Sequence, residues 1–385
     1  MKNLIHFKDL LPVAFLLVFF LAQSFGNAQE IFGNKHIIDD NGSASELHCA
    51  DINNDDISDL LSLSSDHIAV YYGQGPGNFS EKETLINFPS SYNVSMFVFD
   101  FDNDQDVDII LDNTDLFLFP NDGQGNFESY ETLLSSIPGD NFYVADIDND
   151  AAADVLKTTY SESSNMIEVF LYTNPGNGNL NSGTVIYDRL IPPENSIALH
   201  FTDLQQDGDL DIMIDLYYND WDETYNAIYS GINSNNSFDF DFVMSSSSSI
   251  SIQPVDLNGD NHPDLLTLGM LNDVYCWHWY ENDGNNEFDN AHHLSNSSLS
   301  NRLMIDADMD GDADIVYGSY YPNERNALSW IENDGTGFFA DSYFIAAGYI
   351  YPKKSFDVDG DNDLDILYSS YPSGIGWIEN LTISK

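Results

Sequence analysis

The chain has 385 residues, and its acids outnumber lysine and arginine 64 to 11, for a formal charge of −53. A field of that sign repels nucleic acid and anionic membrane surfaces, which counts against both as partners. Yet 42% of residues are hydrophobic and 14% aromatic, so the chain is expected to bury a core rather than stay disordered. Two cysteines cannot form a disulfide framework, so something else must offset the repulsion among the acids.

The N-terminus carries Lys2 and Lys8, then an apolar run from Leu10 to Ala22. That run is too short to span a bilayer as a helix. Small residues follow at Gly26 and Ala28, so residues 1–28 read as a secretory signal peptide cut after Ala28. No second apolar stretch reaches spanning length. The expected mature unit is 29–385, periplasmic or extracellular, with no membrane span.

From there a fixed aspartate pattern, D-x-[D/N/Q]-x-D-x-x-x-D, recurs seven times at intervals of 46 to 57 residues. Positions 1, 3, 5 and 9 are Asp51, Asn53, Asp55 and Asp59; Asp100, Asp102, Asp104 and Asp108; Asp146, Asp148, Asp150 and Asp154. Then come Asp203, Gln205, Asp207 and Asp211; Asp256, Asn258, Asp260 and Asp264; Asp306, Asp308, Asp310 and Asp314; Asp357, Asp359, Asp361 and Asp365. Short apolar runs flank each copy, such as Met96–Phe99 before and Ile109–Leu111 after the second, and they have strand length. Further along each unit lies a turn rich in Asn, Asp and Gly, such as Asn121-Asp122-Gly123 or Asn333-Asp334-Gly335, followed by Phe127 or Phe338 opening one more strand. Four antiparallel strands per unit of about 50 residues match a propeller blade. The expected fold is therefore all-β, a seven-bladed β-propeller of four-stranded antiparallel blades. The last unit ends at Trp377-Ile378-Glu379-Asn380, after its third strand, and Ile31–Ile38 resembles the missing fourth. An N-terminal strand completing the last blade would close the ring and remove an open seam.

Across the seven loops all 28 named positions carry side-chain oxygen, and 25 of them are aspartate. Carboxylates this close repel unless a cation sits among them. Hard oxygen donors without Cys or His favour Ca²⁺ over zinc, and Mg²⁺ keeps its waters too firmly to fit as well. The competing reading of any one copy is a solvated acidic turn. Position 6 favours a residue tolerant of positive φ. It is Gly208, Gly311, Asn261 or Asn362 in loops four to seven, but Asp56, Gln105 and Ala151 in the first three. Strain is expected at Ala151.

These units resemble FG-GAP and VCBS-type repeats, as in the propeller of integrin α chains and many secreted bacterial proteins. The likeness is carried best by Asp357-Val358-Asp359-Gly360-Asp361-Asn362-Asp363-Leu364-Asp365 and by Trp330-Ile331-Glu332-Asn333-Asp334-Gly335. The resemblance implies that the loop joins the first two strands of a blade. It also implies that the loop holds a structural Ca²⁺ through positions 1, 3, 5 and 9 and the carbonyl at 7. It says little about activity, because propellers host unrelated functions.

Beyond the leader only nine basic residues are left. Arg302, Lys353 and Lys354 stand just before the innermost strands of blades six and seven, which puts them near the channel on the face opposite the acidic loops. Loops on that face carry aromatics, among them Trp221, Tyr321 and Tyr351. Cations with aromatics suit an anionic or sugar-like ligand, since Arg grips a carboxylate and ring faces pack on sugar C–H surfaces. Ion pairing with the abundant acids is the competing explanation. His200 and Tyr143 hold equivalent inner-strand places, three residues before their loops. Either could serve a polysaccharide lyase as base beside Arg302, or simply be a satisfied polar residue. The reading is thus a secreted calcium-binding scaffold for glycan or protein ligands, with a lyase and a purely structural matrix protein as alternatives. Trp279, Trp330 and Trp377 share a third-strand place and are expected to pack between blades; Cys49 and Cys276 are expected to be free thiols.

Overall fold

A computed structural model describes residues 31–382, apart from 92, 128, 162–163, 191–195, 221–222, 247–251, 273, 289, 296–298, 300, 320–325 and 341. The leader, Trp221 and Tyr321 lie outside the described residues.

Seven four-stranded antiparallel sheets form a ring, a seven-bladed β-propeller. Blade two is representative, with strands Ser95–Phe99, Asp108–Asn113, Asp115–Phe119 and Glu131–Leu134 in spatial order. Blade seven takes three strands from the C-terminal end, Tyr349–Phe356, Asp365–Tyr371 and Ile375–Asn380. Its fourth is Phe32–Asp39, paired to Ile375–Asn380 as the sequence suggested. The amide of Leu381 donates to the carbonyl of Ile31 and finishes that join. No helix among the described residues is long and apolar enough to cross a membrane.

The second strand of each blade reads as a continuous apolar run because both its faces are covered. Ile109, Ile110 and Leu111 are all buried, as are Ile366 and Leu367. Alternate residues face opposite neighbours, so the cores lie between blades rather than within them. Leu60, Tyr71, Leu367 and Trp377 pack blade one on blade seven; Val316, Trp330, Ile350 and Ile366 pack six on seven. The tryptophans do lie between blades. A Cβ at Gly77 of blade one would come within 2.7 Å of the Trp377 ring, and one at Gly337 of blade six within 2.2 Å of Trp279. Both glycines also sit at positive φ, so the turn needs them twice over.

The Asn-rich turn does more than turn. The asparagine at the end of the third strand is buried, and its side-chain amide reaches the preceding blade. It donates there to the carbonyl at loop position 2: Asn121 to Ile52, Asn174 to Phe101, Asn233 to Ile147, Asn333 to Leu257 and Asn380 to Ala307, at 2.8–2.9 Å. Blade one has Gly73 at this place, and the amide of Gly77 takes over, donating to Val358 at 3.0 Å. The phenylalanines after the turn open no strand in most blades. Phe127, for example, precedes Glu131–Leu134 by several residues, and Phe79 and Phe339 make only single bridges to Gly73 and Asn333. The two left-handed glycines of the turn delay regular pairing.

Replacing Asn333 by Ala strands buried carbonyl groups without a donor, which costs about 1–3 kcal/mol. Urea unfolding of Asn333→Ala should show a loss of that size, whereas a change under about 0.5 kcal/mol would mean the bond does not hold the blades together.

Candidate functional site

Each acidic loop is built the same way. The amide at position 6 donates to the position 1 carboxylate at 2.8–3.1 Å in all seven loops. The position 7 amide donates to position 5 at 2.8–3.2 Å. This winding requires a left-handed backbone at position 6, and every loop adopts it there, with φ from 66° at Asp56 to 100° at Gly311. Ala151 does so at 71°, where a Cβ is unfavourable. Position 4 is left-handed as well (Asn54, Asn103, Asn149, Gln206, Gly259, Met309, Gly360), a second constraint that the aspartate pattern does not reveal.

Position 9 is fully buried in nearly every loop and anchors the rest. One of its oxygens accepts the position 2 amide at 2.8–3.1 Å. The other accepts the amide at the end of the third strand, Gly73 or the clamp asparagine, at 2.7–2.9 Å. Burial pushes Asp154, Asp264, Asp314 and Asp365 up to about 7 and Asp108 up to about 6, against the pull of those two amides.

The seven loops separate into two kinds. Where all four positions are aspartate, three carboxylates offer oxygens within 4.8 Å of one another: Asp100, Asp102 and Asp108; Asp146, Asp148 and Asp154; Asp306, Asp308 and Asp314; Asp357, Asp359 and Asp361. In these same loops a buried carboxylate oxygen has no hydrogen-bond donor, on Asp102, Asp148, Asp306 and Asp359. Burial and neighbouring carboxylates raise Asp102 and Asp359, and push Asp308 up to about 6. No lysine or arginine pairs with them, since the Lys–carboxylate pair among the described residues is Lys157 with Asp140. Converging hard oxygens, one of them orphaned and none neutralised, fit a divalent cation of the Ca²⁺ type. The three loops with Asn53, Gln205 or Asn258 at position 3 carry one charge fewer.

On the opposite face the three cations are found where the spacing put them, though within their strands rather than before them. Arg302 opens the inner strand of blade six, and Lys353 and Lys354 lie inside Tyr349–Phe356, where a bulge between Pro352 and Lys354 offsets the pairing. Among the described residues none of the three has a carboxylate within 4 Å. Arg302 instead lies over the Trp277 ring at 4.1 Å and donates through Nε to Gln253 at 3.0 Å. Burial lowers it to about 10, so it stays charged at neutral pH. Burial also lowers Lys353, partly offset by Glu46. The Glu46 carboxylate is itself engaged by the Met96 amide and His48. Lys353 and Tyr351 line a cavity of about 320 Å³ with Asn301, Ser43, Ser369 and Ser370. Gln253 holds the same inner-strand place as His200 and Tyr143 and was readable there, whereas Trp277 and the serines were not expected as part of this face. Their only trace in the sequence is equivalence to other inner- and third-strand places.

Tyr143 and His200 are less suited to base chemistry. The Tyr143 phenol is hydrogen-bonded by the Leu199 amide at 3.3 Å, a stitch from blade three to blade four, and burial raises it. His200 is held down to about 4 by burial and then by Arg302, so the imidazole is neutral but a weak proton acceptor. Cys49 and Cys276 are free, and burial pushes the Cys49 thiol up to about 12.

The chain is a seven-bladed propeller that carries an FG-GAP-like repeat, the family model matching residues 51–111 from the first acidic loop through the second. No curated protein matches it. Among solved structures, it is similar to an Agrocybe aegerita lectin that recognises non-reducing terminal N-acetylglucosamine, with 15% identity over 88% of this chain and 87% of that one and a TM-score of 0.61. Weaker likenesses are to the Aleuria aurantia lectin with α-methyl-L-fucoside (10% identity, 80% and 97% covered, TM-score 0.38) and the WD40 domain of SCAP from fission yeast (11%, 92% and 96%, 0.36). At these identities the likeness is one of fold.

The depressed His200 has a consequence for stability. Between pH 6.5 and about 4 the unfolded chain takes up a proton there that the folded chain refuses, so this group removes stability as pH falls through that window. His200→Gln should abolish that component, narrowing the loss between pH 7 and 4 by on the order of 2–3 kcal/mol in denaturant titrations. Parallel curves for the two proteins would show that His200 is not held neutral.

Proposed function

We propose that this protein is a secreted, calcium-loaded binding scaffold that presents the face opposite its acidic loops to an extracellular ligand bearing carboxylates, an acidic glycan or an acidic protein segment. The observation that carries this reading is that Arg302, Lys353 and Lys354 have no carboxylate within 4 Å among the described residues. In a chain with 64 acids, three such cations on one face favour an anionic ligand. The Lys353 cavity adds hydroxyl and amide groups suited to a sugar. Cations in the four all-aspartate loops would neutralise carboxylates that otherwise repel, and so would hold the inner strands that display this face. The Agrocybe aegerita lectin offers a precedent for glycan recognition on a propeller, but the case rests on the residues here.

A uronate oligomer is the direct probe. Calorimetry should detect binding that weakens as salt rises, and Lys353→Gln or Arg302→Gln should each weaken it about tenfold or more, since each removes a charge-assisted contact. Lys353→Gln should melt as the parent does. Binding that ignores both substitutions, or none at all, would overturn this choice of face.

A further inference from the structure

A second cavity, of about 400 Å³, lies between blades one and two, away from the cation cluster. Its volume is in the range of small-molecule sites. Leu111, Phe117 and Phe119 from blade two form much of its lining, with the 88–91 connection from blade one across from them. That connection is tied down, the Phe88 amide donating to Asp66 and the Ser91 amide to Ser65. Tyr130 is 64% exposed and fixed in orientation by contacts to Phe117 and Phe119, each at 5.4 Å between ring centroids.

Two features say what would fill it. No charged side chain among the described residues lines it, in a chain of net charge −53. An anion would be repelled by the protein's field and a cation would find no counter-charge, which leaves a neutral ligand. The second feature is Asn113, 6% exposed, whose side-chain amide has no hydrogen-bond partner among the described residues yet faces this cavity. An aliphatic occupant would seal that amide away unpaired, at a cost a hydroxylated ligand avoids. A ring with an apolar C–H face for Tyr130 and adjacent hydroxyls for Asn113, Ser90 and Ser91 satisfies both conditions.

The geometry points to a neutral-pyranoside site between blades one and two, built on Tyr130 and Asn113 and separate from the cation cluster. A ligand engaging both would be a glycan with neutral and acidic units, but the neutral site stands without the other.

Saturation-transfer NMR with a panel of neutral methyl pyranosides (glucosides, galactosides, mannosides and N-acetylglucosaminides), with indole as an apolar control, tests this. At least one pyranoside should bind in the range of about 1 mM, as a single sugar ring with few contacts does. Tyr130→Ala, a change at an exposed side chain, should weaken it about tenfold or more, and Asn113→Ala likewise. Lys353→Gln should leave it unchanged. No pyranoside binding, binding that survives Tyr130→Ala, or binding of indole alone would overturn the proposal. Loss through Lys353→Gln would move the sugar to the Lys353 cavity and overturn the proposal as well.

Discussion

A buried aspartate that accepts two backbone amides is the joint on which this propeller depends. In each blade the ninth loop residue ties the start of its own loop to the far end of the third strand. It thereby fixes where the first strand ends and where the Asn-rich turn begins. The residue receiving that bond in blades two to seven is an asparagine, and in five of them its side chain goes on to hold the preceding blade. Loop geometry, strand register and blade-to-blade spacing therefore share one set of polar groups. Burying a carboxylate is costly unless its oxygens are fully used, and here they are.

The remaining carboxylates are another matter. In four loops positions 1 and 3 converge to ligand distance, with the buried ninth residue in three of them and with position 5 in the seventh, and an oxygen is left over. Among the described residues no lysine or arginine pairs with them. Three of the chain's few bases, Arg302, Lys353 and Lys354, stand at the other face, where Arg302 is held by the Trp277 ring and the Gln253 amide. The two faces are thus electrostatically unlike. One carries the clustered carboxylates, and the other carries Arg302, Lys353 and Lys354 with the hydrogen-bonding cavity.

Much of the fold was legible in the sequence because its signals are local and repeated. Spacing alone gave the blade count, and Ile31–Ile38 gave the closing strand, since both rest on strand-length apolar runs. Left-handed backbone at position 6 was readable where Gly or Asn stands, and even Ala151 conforms because two carboxylates hold the winding in place. The clamp was not readable, because Asn333 beside Asp334-Gly335 looks like any turn residue until its partner Leu257, in the preceding blade, is known. The cation face was half readable. Position along the inner strands placed Arg302 and Lys353, but their want of acidic partners depends on tertiary neighbours such as Trp277 and Gln253. The blade one–two cavity left no trace, since Asn113 and Tyr130 meet only through packing.

A polypeptide this acidic gathers three carboxylates at ligand distance in four of its loops, and divalent cations are the proposed means of relieving their repulsion. The most direct check is a Ca²⁺ titration of metal-stripped protein by calorimetry, with melting followed before and after. The account predicts about four tight equivalents per chain, one lost with Asp359→Asn, and a melting temperature that falls on chelation and returns with Ca²⁺, each filled site adding about 4 kcal/mol at a thousandfold excess over its Kd. Protein that takes up no calcium, and melts at the same temperature with and without it, would contradict the account.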